Sequence, residues 1–176
     1  MVRSGPILVA QQLVNELKHK VMFEVFYFDD VVELDFNCPT KKISFYKVTD
    51  FSSFDIVHTH MLRPDIYYLW HHKSINKIGV STLHQYIKAS LSFSYNKFIG
   101  AVFSLLWING LKKHNAIACI NKDMSQQYQR VFGNHKVTCI YNGVPQVNIT
   151  NIDNDDLAMI NRFKSQNLKV VITIAE

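Results

Sequence analysis

The chain has 176 residues, 48% of them hydrophobic and 19% charged, which is enough for one domain with a sizeable core and too few for two full ones. A mean hydropathy near zero with 12% aromatics excludes a disordered chain. The net charge of +5 comes in short pieces, Lys41-Lys42, His71-His72-Lys73 and Lys112-Lys113-His114, which excludes a long basic nucleic-acid tail and leaves solvated faces or guidance of an anionic partner.

In chain order, Gly5-Pro6 opens a helix predicted over Ile7 to Lys18, with apolar residues at Ala10, Leu13, Val14 and Leu17 and proline at its favoured first position. Val21 to Phe28 reads as a buried strand, Lys42 to Val48 as a shorter one, and Phe54 to His60 as a third. A helix follows from Arg63 to Lys73, then a strand from Lys77 to His84. A long helix is predicted from Leu91 to Lys113, with a break signal at Ser94 to Asn96. Ala116 to Ile120 is a strand. Asn121 can cap a helix over Lys122 to Phe132, which has Asp123 in its first turn and Gly133 as a left-handed cap. Lys136 to Ile140 is a strand, and Asn142-Gly143 reads as a tight turn. Gln146 to Asp156 is polar and reads as a linker. Leu157 to Ser165 is a short helix, and Lys169 to Ile174 a last apolar strand.

Strands alternating with helices predict an α/β fold, an open Rossmann-like and mostly parallel sheet with helices on both faces. The chain opens on a loop and helix where such a sheet usually has a central strand, and its last strand has nothing after it. A chain lacking its first strand and most of a second domain is therefore expected.

Cys38, Cys119 and Cys139 are odd in number and form no C-x-x-C pair, which excludes a disulfide scaffold and a thiolate zinc site and fits a reducing cytoplasm. The first apolar stretch is too short for a secretory signal. Phe98 to Leu111 is the longest apolar run; too short to span a bilayer, it suits a buried helix or one lying on a membrane surface. The absence of G-x-G-x-x-G, G-x-x-x-x-G-K-[ST] and G-x-S-x-G counts against a nicotinamide dehydrogenase, a P-loop nucleotidase and a serine hydrolase.

Candidate site residues cluster near strand ends. Ser4-Gly5-Pro6 puts a glycine at a helix amino-terminus, where free N–H groups suit phosphate; a plain helix start is the other reading. His58 and His60 lie two apart on one strand and share a face, near the crevice where such sheets bind ligands. No carboxylate or thiol completes a metal set beside them, Asp65 being the nearest, so they read as hydrogen-bonding residues at a site edge or as core histidines, and no metal is expected. His84, ending its strand, can serve a sugar hydroxyl or a phosphate oxygen, or cap a helix.

Four stretches carry a family resemblance: RSGPILVAQQLVNEL (Arg3 to Leu17), FDIVHTH (Phe54 to His60), GVSTLHQY (Gly79 to Tyr86) and AIACINKDMSQQYQRVFGNHKVTCIYNGV (Ala116 to Val144). Together they resemble the amino-terminal domain of family-4 retaining glycosyltransferases, enzymes of two facing Rossmann-like domains. The resemblance implies transfer of a sugar from a nucleotide-sugar donor to an acceptor hydroxyl, without cofactor or metal, on saccharide or lipid-linked acceptors at the cytoplasmic membrane face. It implies that Gly5 and Pro6 line the cleft and that His84 acts at the transferred sugar or positions the acceptor. Asn121 stands where members usually have serine, and Asn142-Gly143 lead toward the second domain. The donor is held mainly by that second domain, whose basic residue and paired glutamates this sequence does not reach. On this reading residues 1–145 form the acceptor-side domain, 146–168 a linker and short helix, and 169–176 the opening strand of a carboxy-terminal domain, the chain alone being inactive. Aromatic-apolar Phe98 to Leu111 with Lys112-Lys113 suits peripheral contact with anionic lipid, or packing on the sheet. The competing readings are a stand-alone flavodoxin-like binding or regulatory module and a nucleic-acid-binding protein; the spread of Lys and Arg speaks against the second.

Overall fold

The computed structural model describes residues 4–143 and 154–166. These fall in two compact units, Met1–Gly143 and Val144–Glu176. The described part of the second unit is a single helix. The expected strand Lys169 to Ile174 and much of the expected linker lie outside the described residues.

In the first unit, helix α1 (Gly5–Leu17) starts with proline in its first turn, where the missing N–H costs nothing. Two short parallel strands follow, β1 (Val25–Tyr27) and β2 (Thr40–Lys42). Side chains alternate across β1. Val25 and Tyr27 pack with Val14, Ile7 and Ala10 of α1, while Phe26 and Phe28 turn toward Tyr67 and Tyr68. Helices therefore cover both faces of this sheet, as expected.

The second sheet is wholly parallel, in the order β3 (Ile56–His60), β4 (Ile78–Leu83), β5 (Ala116–Cys119), β6 (Val137–Cys139). Its crossovers are α2 (Leu62–Ile75), then α3 (Ile87–Ser94) with α4 (Lys97–Leu111), then α5 (Lys122–Phe132). Leu83, Ile117, Cys119 and Val137 face these helices and join Ile87, Trp107, Leu111, Met124 and Tyr128 in the main core. In the second unit α6 spans Asn154–Ser165, with Arg162 and Lys164 in its last turn, where the dipole favours cations.

Three expectations need correction. The strand expected over Lys42 to Val48 lies at Thr40–Lys42 instead. Its apolar residues Ile43 and Phe45 join the aromatic cluster around Tyr67 from a turn, which is fastened where Tyr67 Oη donates to the Lys47 carbonyl and accepts from the Thr49 N–H. The long helix breaks in two, because Asn96 leaves helical geometry and caps α4 through the Ile99 N–H at 2.9 Å; the break signal was in the right place. Gly133 has the positive φ a left-handed cap requires, 93°, but its ψ of 150° leads the chain out extended. Asn142 and Gly143 are exposed, and neither takes a positive φ; the turn expected there runs on into residues outside the described ones.

Candidate active site

Alternation along β3 sorts its side chains into two chemistries. Thr59 points among the crossover helices, while His58 and His60 point to the opposite face. β4 pairs in register, His58 beside Val80 and His60 beside Thr82, so Thr82 and the following His84 share the histidine face. His58 Nε2 lies 2.8 Å from Thr82 Oγ1. His60 Nδ1 lies 3.0 Å from His84 Nε2, and the His58 and His60 rings approach to 4.4 Å between centroids. These groups sit at the carboxyl ends of adjacent parallel strands, where open α/β sheets hold ligands.

Burial holds the His60 imidazole well below the ordinary histidine value, and the neighbouring His58 and His84 rings add to it. Burial lowers His84 as well. Both rings are then neutral at pH 7, so one nitrogen of the pair donates and the other accepts. Among the described residues no protein group bonds His84 Nδ1, which is left to meet a ligand.

The loop after β4 is fixed from the α5 side. Tyr86 Oη donates to Asp123 Oδ2 at 2.5 Å, and the Ile87 N–H donates to Tyr128 Oη at 2.8 Å. Asn121 Oδ1 accepts the Met124 N–H at 2.8 Å, which caps α5. β4 and β5 pair Leu83 beside Cys119, so His84 and Asn121 follow neighbouring strand ends. The structure thus unites His60 with His84 and brings Asn121 to the same sheet edge. Gly5 and Pro6 begin α1 with no atom within 4 Å of where a Gly5 Cβ would stand; no hydrogen bond joins them to the histidines among the described residues. Asn142 and Gly143 follow β6 in the open.

Sequence reasoning missed two neighbours. Met61, directly after His60, has φ 75° and ψ 172°, a conformation that costs a bulky residue about 1–3 kcal/mol and gathers at functional turns. A cleft of about 720 Å³ opens at the carboxyl ends of β1 and β2, lined by Phe28, Ile43, Ser44, Phe45 and the cations Lys42 and Arg63. Asp30 pairs with Lys42 and Asp29 with Arg63. Among the described residues no group of three His, Cys, Asp or Glu is arranged to hold a metal ion.

On the far side of β3 lies a buried polar network. Asp65 and Thr59 meet at 2.5 Å, Trp107 Nε1 donates to Asp65 at 2.6 Å, and His114 Nε2 lies 2.9 Å from Thr59 Oγ1. Burial raises the Asp65 carboxyl to about 6 and lowers His114 to about 4. His114, grouped by sequence with Lys112 and Lys113 as a basic cluster, is 2% exposed and takes no part in that surface.

Comparison with known proteins converges on one group. The model of Glycosyltransferase Family 4 matches residues 38–146. Two curated relatives from Escherichia coli, each called O-antigen biosynthesis glycosyltransferase WclY, are 27% identical over 150 residues, covering 81% of this chain and 42% of the relative. The chain thus spans about two-fifths of the length of the curated relatives it matches.

Proposed function

The chain belongs to glycosyltransferase family 4, and from that premise we propose that it forms the acceptor-side domain of an enzyme moving a sugar from a nucleotide-sugar donor to an acceptor hydroxyl. We place this reaction, with retention of configuration, in cell-surface polysaccharide assembly on saccharide or lipid-linked acceptors, in the cytoplasm against the inner membrane face. Support for that setting comes from the relatives named for O-antigen biosynthesis.

The observation that carries the reading is the hydrogen-bonded pair His60 and His84 at the carboxyl edge of the sheet. A neutral imidazole can meet a sugar hydroxyl as donor or acceptor without an ionic charge to desolvate. His60 decides which. If its Nδ1–H donates, His84 carries its proton on Nδ1 and offers a donor; if its Nδ1 accepts, His84 offers an acceptor. Asn121 and the loop fastened through Tyr86 close the same edge.

The test is a titration of this polypeptide, labelled with nitrogen-15 at histidine, with nucleotide diphosphate-sugars and candidate acceptor saccharides. The His60 and His84 resonances should move together and saturate, and His84→Ala should abolish the response. If no sugar or nucleotide sugar moves either ring while the fold stays intact, this reading is wrong.

A further inference from the structure

Where β1 and β2 end, aromatic rings and paired charges meet in a cleft apart from the histidine pair. Its volume of about 720 Å³ suits a small-molecule ligand. Phe28, Lys42, Ser44, Phe45, Tyr46 and Arg63 line it, and none of His58, His60 and His84 does. Phe45 carries two outer rings edge-on, Tyr46 at 5.5 Å and Trp70 at 5.1 Å between centroids. Tyr46 is 83% exposed and Trp70 54%, so both rings are open to solvent. The turn that presents Tyr46 is fastened through Tyr67 to Lys47 and Thr49, so little ordering is left for a ligand to impose.

The charges beside these rings cancel. Arg63 donates to Asp29 at 2.6 Å, and its guanidinium lies 5.4 Å from the Phe28 ring centroid. Lys42 pairs with Asp30. Two cations and two carboxylates thus stand side by side, each with N–H donors or lone pairs to spare, and the four together carry no net charge. A phosphate or carboxylate ligand would have to dislodge Asp29 or Asp30 and then sit beside it, against like-charge repulsion. An uncharged pyranose meets no such cost. Its C–H face lies on the electron-rich face of an aromatic ring, and its hydroxyls, each both donor and acceptor, bridge the two members of an ion pair. Arg63 opens α2 three positions after His60, so the loops after β1 and β3 bring this cleft to the carboxyl edge that also holds the histidines.

We propose that the cleft is a saccharide subsite, taking an uncharged pyranose against Tyr46 with its hydroxyls on the Asp29–Arg63 and Asp30–Lys42 pairs. Since the cleft and the histidine pair share no lining residue, the sugar held here is not the one that reacts at His84, and the acceptor is at least a disaccharide. That place in acceptor recognition rests on the transferase reading above; sugar binding in the cleft does not.

The test is a titration of the full 176-residue chain, labelled with carbon-13 in its tyrosine and tryptophan rings and nitrogen-15 at histidine. The neutral probes are the methyl glycosides of glucose, galactose, mannose and N-acetylglucosamine, with lactose and cellobiose. The charged probes are glucuronate, glucose 1-phosphate and uridine diphosphate, and each series is run at low and high salt. The Tyr46 and Trp70 resonances should move and saturate with a neutral sugar, respond less to the charged probes, and keep the same affinity in high salt. Tyr46→Ala, at an exposed position, should weaken binding read at Trp70 by about tenfold, with the circular dichroism spectrum unchanged. Asp29→Asn, which keeps the shape and removes the charge, should weaken it several-fold. The proposal is overturned if no neutral sugar moves Tyr46, if a charged probe binds more tightly than the neutral sugars, or if Tyr46→Ala binds undiminished. Histidine resonances that answer to sugars while Tyr46 stays still would leave the transferase reading standing and remove this one. Tyr46 answering while His60 and His84 stay still would keep the saccharide subsite and remove its place in acceptor recognition.

Discussion

Asp65 shows most directly how one residue is decided by its surroundings. As the first-turn acid of α2 it is well placed for the helix dipole, yet it is 0% exposed and ties three elements together through Thr59 of β3, Trp107 of α4 and His114 after it. Asp65→Ala would leave the Trp107 N–H and the Thr59 hydroxyl without their shared acceptor in a dry interior. Urea unfolding should show a loss of about 3–5 kcal/mol. Asp65→Asn, which keeps shape and one acceptor oxygen, should lose less than half of that; equal losses would mean that packing, not the hydrogen bonds, sets the cost. The sequence marked Asp65 only as a carboxylate near the histidines. Nothing local distinguishes it from a solvated first-turn acid, because its partners lie up to 49 positions away, at His114. His60 and His84 were legible as candidates, since each ends or nearly ends a strand. Their direct hydrogen bond depends on the β3–β4 register, which periodicity does not specify.

At the scale of elements, the joint between α3 and α4 decides how the hairpin closes. A Cβ on Gly100 would stand 2.9 Å from the Leu91 carbonyl oxygen. That atom is backbone and cannot swing aside. Gly100→Ala gains about 1 kcal/mol in helix propensity but forces the helices apart, at a typical cost of about 1–3 kcal/mol. Thermal unfolding should show no gain and a net loss of about 1 kcal/mol; a rise in Tm would show that the helices separate freely. The element boundaries follow the same division between local and distant causes. α5 was readable to the residue, because its cap Asn121 and its stop at Gly133 are local signals. α6 begins three residues earlier than expected, at Asn154, since Asn and Asp suit a helix start as well as a linker. The strand expected over Lys42 to Val48 failed because Ile43 and Phe45 bury themselves equally well from a turn. The exposure of Phe98 and Leu105 on α4 was beyond reach for a similar reason: a helix apolar on nearly every side does not tell which side faces water.

For the whole molecule, pH sums the buried groups. Burial keeps His58, His60, His84 and His114 below the ordinary histidine value of 6.5 in the folded state. Between the folded and unfolded values the unfolded chain binds the extra proton, so this stability is complete above about pH 6.5 and is lost as the pH falls. Asp65 acts oppositely. Raised from 3.8 to about 6, it favours folding most at low pH and loses that contribution as the pH rises through 6. Four histidines outweigh one carboxyl, so the unfolding free energy from urea titration should hold above pH 7 and fall from pH 6.5 toward 4, by about 1.4 kcal/mol per pH unit for each net proton. In Asp65→Asn the opposing contribution vanishes and the acid side should steepen. A midpoint that rises on acidification would contradict the neutral, buried histidines.

What the sequence determined by itself was the alternation of strands and helices, hence a parallel α/β sheet, and the family, through motifs whose residues are contiguous along the chain. Backbone propensity, capping and strand burial act within a few residues, so these features are written locally. What only the tertiary structure decided was pairing across the chain: His60 with His84, Asp65 with Trp107 and His114, and a helix that buries Trp107 and Leu111 beside its glycines and serine while showing Phe98 and Leu105 to solvent. Those outcomes depend on strand register and on which face of a helix meets the sheet, and both are settled by packing among distant segments.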